Sequence, residues 1–137
     1  MNYWLIKSDP EDYGWEHLVK DKKTNWTGVR NFAARNHLKQ MKAGDLVLFY
    51  HSQKAQAIVG ISKVTKEFFK DPTSDDDTWG AVEIQAVKSF KQPVTLKEVK
   101  ADKELQTFPL VRISRLSVMP VTETEFWKIL EMGETRI

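Results

Sequence analysis

Short apolar runs alternate along the chain with polar stretches that carry helix caps and turn residues. Tyr3-Trp4-Leu5-Ile6 is apolar at both parities and rich in β-formers, which predicts a buried strand ending where Lys7 and Ser8 begin. Asp9-Pro10, followed by Glu11 and Asp12, supplies a capping carboxylate, a first-turn proline and acids at the positive end of the helix dipole. A short helix carrying Tyr13, Trp15 and Leu18 is expected there, with Gly14 inside it. Thr24 to Gly28 reads as a short polar connection holding Trp26. From Val29 to Met41, Ala34, Leu38 and Met41 recur at helical spacing, and Gly44-Asp45 marks the stop.

Leu46 to Tyr50 is strand-like, and beyond the polar turn Ser52 to Gln56 the run Ala57 to Val64 reads as its hairpin partner. Gly60 inside that partner signals a bulge or a close backbone approach. Lys70 to Thr78 is loop by composition, and Val82, Ile84 and Ala86 then alternate with Glu83 and Gln85 as a further strand. Thr95-Leu96-Lys97-Glu98 and Thr122-Glu123-Thr124-Glu125 are capping boxes, each opening a helix, with Phe126, Ile129 and Leu130 the apolar face of the second and Gly133 its end. Leu110 to Val121 reads as strand, bend, strand. Five or six strands interleaved with short helices, and no linker or repeat, predict a single α+β domain over 1–137 built on a curved, barrel-like mixed sheet rather than a doubly wound one.

Composition removes several chemistries. Cysteine is absent, so there is no disulfide framework, thiolate metal site or cysteine nucleophile. The six glycines are too scattered for a phosphate-cradling loop, and no serine sits in a nucleophile-elbow motif. His17, His37 and His51 lack metal-ligand spacing, so no metal or cofactor is expected. Glu98-Val99-Lys100 lies in a short capped helix, where a solvated charged face is the ordinary reading. No apolar run approaches a membrane span and no signal-like leader opens the chain, which predicts a cytoplasmic-type protein; the sequon Asn25-Trp26-Thr27 then reads as a chance match. The net charge is only +2, but residues 1–70 hold 12 basic and 7 acidic side chains against 9 and 12 in the remainder, so one half is basic.

A few residues stand out. Trp4 and Trp127 have apolar neighbours and are expected in the core. Trp26 sits where no apolar period demands it, and is either a loop tryptophan closing the barrel end or a ligand platform. Tyr50-His51-Ser52, at a strand end, is open to the same two readings. Arg112, Ser114, Arg115 and Ser117 add donors suited to phosphate or a base edge.

Four separated segments carry a resemblance: Trp4-Leu5-Ile6-Lys7-Ser8-Asp9-Pro10, Trp26-Thr27-Gly28-Val29-Arg30-Asn31, Gly44-Asp45 with Phe49-Tyr50-His51-Ser52, and Arg115 to Val121. In this order, across about residues 2–133, they closely resemble the EVE domain family. Asp9 stands where that family usually carries glutamate, which shortens a side chain at the pocket edge.

The resemblance implies a PUA-like fold, a curved mixed β-barrel with short peripheral helices, similar to the YTH and SRA-type readers of modified bases. It further implies a non-enzymatic, monomeric module that accepts one extruded modified nucleobase, a modified cytosine in DNA, and works through an unseen effector protein. By the same similarity, Lys7, Ser8 and Asp9 together with Trp26, Val29, Arg30 and Asn31 would hold the base. Tyr50, His51, Ser52, Arg115, Leu116 and Ser117 would line the remaining wall. Trp26 would stack on the base, Ser8, Asn31 and Ser117 would pair with its edge, and Lys7, Arg30 and Arg115 would meet phosphates. Two alternatives remain open: a small amidohydrolase or nucleoside-processing enzyme using Lys7 beside Ser8, and a PUA-like domain that binds structured RNA by shape.

Overall fold

The computed structural model describes residues 1–137 except for the side chain of Lys54. The elements run β1 (Tyr3–Ser8), α1 (Pro10–Tyr13), α2 (Trp15–Asp21), β2 (Lys23–Trp26), α3 (Phe32–Gln40), β3 (Leu46–His51), β4 (Ala57–Lys70), β5 (Gly80–Thr95), α4 (Leu96–Ala101), α5 (Pro109–Arg112), β6 (Val118–Val121) and α6 (Glu123–Met132). They form a six-stranded mixed sheet in the order β2-β5-β4-β3-β1-β6. Only β1 and β3 pair in parallel, with Lys7 opposite Tyr50 and Ser8 opposite His51 at their carboxyl ends.

The inner strands are continuous apolar runs because both their faces are covered. Trp4, Leu5 and Ile6 of β1 and Val47 to Tyr50 of β3 are all buried. Ala34 and Leu38 of α3 and Phe126, Ile129 and Leu130 of α6 are buried too, and both expected capping boxes close, Thr95 with Glu98 and Thr122 with Glu125. A buried aspartate ties the start of β1 to the entry of β3. Asp45 accepts hydrogen bonds from the Asn2 and Lys42 backbone N–H groups and from Trp4 Nε1, at 3.0 to 3.1 Å.

Gly60 combines a bulge with a close approach. The β3–β4 register shifts between Phe49 and Tyr50, the pairs flanking it being Phe49 with Gly60 and Tyr50 with Ile58. The Trp15 indole lies so near that a Cβ at position 60 would sit 2.3 Å from the ring. Trp15 is thereby buried and donates from Nε1 to Ser89 Oγ at 2.8 Å, which seats α2 on the sheet.

Several expectations need correction. The predicted first helix is two, parted at Gly14, whose extended backbone (ψ 174°) ends one and starts the next. Thr24 to Trp26 is no loose connection, since these residues pair with Val82 to Ile84 as the edge strand β2. The third helix starts at Phe32 rather than Val29, because Asn31 caps it. The β4 strand runs on to Lys70. Pro109, at a position where its missing N–H costs nothing, opens a helical turn through Arg112, so the region expected as strand, bend, strand is helix, turn, strand. Trp127 is 45% exposed rather than core, resting edge-on against Phe126.

Candidate functional site

At the carboxyl end of β1 the chain leaves the sheet through Lys7 and Ser8 into the Asp9 cap of α1, and opposite it β2 ends at Trp26 and passes into the Thr27–Arg30 segment. Between them lies a cleft of about 420 Å³, closed on a third side by Ser117 and lined also by Asp12, Tyr13, Thr24 and Asn25. That volume is ordinary for a small-molecule site. The Trp26 indole is half-buried and held by two other rings, edge-on to Phe49 at 5.6 Å and to Tyr13 at 6.1 Å between centroids. These rings help fix its orientation in the cleft wall, where it also packs against the core.

The continuation of that wall beyond Trp26 is fixed by charge. Asp71, fully buried in the loop after β4, accepts from the Gly28 N–H at 2.8 Å, from Arg30 Nη1 at 2.9 Å and from both the N–H and the hydroxyl of Thr73. Burial alone would raise the Asp71 carboxyl, but the hydrogen bonds from Thr73, Arg30 and Gly28 outweigh it and hold the group well below the usual carboxylate range. Gly28 has φ +81°, a left-handed conformation that favours glycine, and so brings its N–H to the carboxylate. Arg30 also donates to Thr73 Oγ1 at 3.2 Å. Its guanidinium braces the cleft wall while its side chain stays 39% exposed.

The remaining polar groups divide into spent and free. Lys7 Nζ donates to the Ser114 carbonyl at 2.8 Å, and burial pushes its pKa down. Ser8 Oγ donates to the Tyr13 carbonyl at 2.5 Å, leaving its lone pairs as acceptors, and Asp9 caps Glu11 N–H. The Asp12 carboxylate, exposed at the cleft edge, makes no side-chain hydrogen bond or ion pair among the described residues. The cleft can therefore offer an aromatic face, hydroxyl and amide groups, and an unspent carboxylate to a flat polar ligand.

Of the residues expected to line a site, Lys7, Ser8, Asp9, Trp26, Val29, Arg30 and Ser117 meet at this cleft. The others lie elsewhere. Asn31 turns its side-chain oxygen to Ala34 N–H as the cap of α3. Tyr50 is in the core, its phenol pushed by burial to about 12, with Lys7 Nζ 6.0 Å from its ring centroid. His51 Nε2 accepts the Trp15 N–H at 2.9 Å and so pins α2, while the Ser52 N–H pairs with the Ser8 carbonyl. Leu116 is buried, and Arg115 is exposed outside the cleft. Sequence reasoning did not single out Asp12, Tyr13, Thr24 or Asn25 as lining residues, nor Asp71, whose only signal was a place in an acidic loop.

This mixed sheet with its short helices is a fold shared with known proteins. The EVE domain family model matches residues 2–132, and the chain belongs to that family. It is 36% identical to mouse thymocyte nuclear protein 1 over 98% of this chain and 74% of that protein. A crystal structure of an Agrobacterium tumefaciens protein superposes with a TM-score of 0.96 at 43% identity, covering 98% of this chain and 94% of the other. Human THYN1, solved in complex with 5-methylcytosine containing DNA, superposes with a TM-score of 0.88 at 32% identity over the full length of both chains. The YTH domain of Zygosaccharomyces rouxii MRB1 shares the fold at 16% identity and a TM-score of 0.60. The word nuclear in the mouse relative's name gives the cytoplasmic expectation no support. No described helix is long and apolar enough to cross a membrane.

Proposed function

We propose that this chain is a binding module, not a catalyst, that takes one modified nucleobase of a DNA strand, a modified cytosine, into the Trp26 cleft. The observation that carries the reading is the half-buried indole on the wall of a base-sized cleft, on the fold of a relative solved with methylated DNA. Stacking on Trp26 is worth about 1–3 kcal/mol, comparable with the few kcal/mol that extruding a base costs. Base identity then comes from the edge. The free carboxylate of Asp12 is suited to accept from an exocyclic amine such as that of cytosine, and Ser8, Ser117, Thr24 and Asn25 complete the polar rim. A single methyl group contributes only about 0.8 kcal/mol, roughly fourfold, by burial, so preference for the modification depends on how closely the cleft fits it. Arg115, and Lys7 through the two ammonium N–H donors that the Ser114 carbonyl does not take, are cations placed to meet phosphate, which makes affinity fall with salt. A reader of this kind acts through a partner that carries the downstream step.

Fluorescence anisotropy with oligonucleotides that differ only in one cytosine, methylated or not, tests this. The wild type is expected to prefer the methylated strand, and Trp26→Ala to lose about 5- to 150-fold in affinity together with that preference, while its circular dichroism stays that of the wild type. Equal affinity of the wild type for both strands, or release of an altered base on incubation, defeats the reading.

A further inference from the structure

Beside the cleft lies a second surface that the base-binding role does not use. Phe32, at the first turn of α3, is 60% exposed. Phe32, Arg35 and Lys39 stand at i, i+3 and i+7, on one face of that helix. Each is matched across the adjacent β4–β5 end. The Phe32 ring lies 5.1 Å from that of Trp79 at an interplanar angle of 33°, Arg35 Nη1 donates to the Thr78 carbonyl at 3.3 Å, and Lys39 Nζ is 5.6 Å from the Phe68 ring. Arg35 also lies 5.1 Å from the Phe32 ring, and Arg30, the brace of the cleft wall, lies 5.8 Å from Trp79.

Aromatic faces and cations thus alternate along a stripe that begins at the cleft. Neither Arg35 nor Lys39 is in an ion pair among the described residues. Of the acids in the neighbouring loop, Asp71 pairs with Arg30, Asp77 with Lys70 and Asp76 accepts the Thr78 N–H, while Asp75 is exposed. The exposed Phe32 ring and the half-buried Trp79 and Phe68 rings supply sequence-tolerant stacking surface, and unpaired cations supply a track for phosphates; together they fit a single nucleic-acid strand. Arg30 belongs to both the cleft wall and the stripe, so the two surfaces are contiguous.

We infer that the Phe32–Trp79 stripe of α3 is a platform for the nucleotides flanking the base held in the cleft. This rests on the base-binding reading above, but fails separately from it. The test measures binding of the wild type, Phe32→Ala and Arg35→Gln to a methylated dinucleotide and to a single strand about fifteen nucleotides long with one central 5-methylcytosine. Phe32→Ala is expected to weaken the long strand about tenfold, to leave the dinucleotide untouched and to keep the methylated-to-unmethylated ratio of the wild type. Arg35→Gln should lower the slope of log affinity against log salt by about one for the long strand. Wild-type affinity for the long strand in both variants overturns the inference and makes the stripe a protein-facing surface, with the cleft reading intact if Trp26→Ala still fails. Equal losses on both ligands also overturn it, since Phe32 would then act through the cleft. A wild type that ignores methylation, paired with a Phe32→Ala variant that loses only the long strand, upholds the stripe and removes the cleft reading.

Discussion

Two regions of the molecule, the seat of α2 on the sheet and the cleft wall of residues 28–30, are held by different physics. At α2, the Trp15 indole lies against the bare backbone of Gly60, and His51 accepts the Trp15 backbone N–H; shape and burial do the positioning. At residues 28–30, one buried carboxylate gathers four donors from Gly28, Arg30 and Thr73. Packing tolerates small errors by repacking, whereas a buried polar hub has no substitute when its acceptor goes. The difference therefore separates global stability from the geometry of the site.

Asp71→Ala gives the largest effect. It removes the buried acceptor that Gly28, Arg30 and Thr73 share and frees the Arg30 segment, so a loss of about 3 kcal/mol in urea unfolding is expected, with nucleic-acid affinity falling further than stability alone explains. An Asp71→Ala variant that unfolds as the wild type does would remove the clamp from the account. Because its folded pKa is depressed, the stabilisation from Asp71 is complete above the unfolded value near 4 and is lost only as the pH falls toward the lower folded value. Acidification from neutrality to about pH 5 should not open this region.

Gly60→Ala comes next. The added Cβ meets the Trp15 ring, not a flexible chain end, and overpacking of this kind costs about 1–3 kcal/mol. Here stability should drop while the bound-state preference for a methylated strand survives, since the Asp71 wall is untouched. If both variants lose affinity in proportion to stability, the two regions do not differ in function.

The smallest effect is at α2 and depends on pH. Burial lowers the His51 pKa against an opposing pull from Glu16, and His37, with a buried Nδ1 lacking a partner, is lowered in the same way. The unfolded chain thus binds these protons first, and stability should decline as the pH drops through about 6.5. Urea midpoints at neutral pH and near pH 5.5 should show the decline, and His51→Gln, whose amide oxygen can take the Trp15 N–H without titrating, should flatten it. An unchanged slope in that variant would remove His51 from the explanation.

The contrast also explains what could be read from the sequence. Strand β1, strand β3, both capping boxes and the Gly60 signal were legible because local pattern and packing specify them. Trp26 was singled out by lacking an apolar period, although its place in β2 was not visible, since an edge strand of Lys-Thr-Asn-Trp has no alternation to show. Asp71 looked like one more acid in a polar loop; only long-range pairing across more than 40 residues distinguishes it from its neighbours. Tyr50 and Leu116 were expected on the wall from the resemblance, but Tyr50 lies in a strand covered on both faces and Leu116, just before β6, is buried in the core.

The central claim is that a modified base lies against Trp26. The chain has five tryptophans, so a titration of nitrogen-15-labelled protein with 5-methyl-2′-deoxycytidine, read at the indole N–H resonances, addresses it directly. Trp4 and Trp15, bonded to Asp45 and Ser89, and the distant Trp127 serve as internal controls. The account predicts a saturable shift of the Trp26 resonance with those of the controls unmoved. Saturable binding that leaves Trp26 where it was, or moves the controls equally, would contradict it.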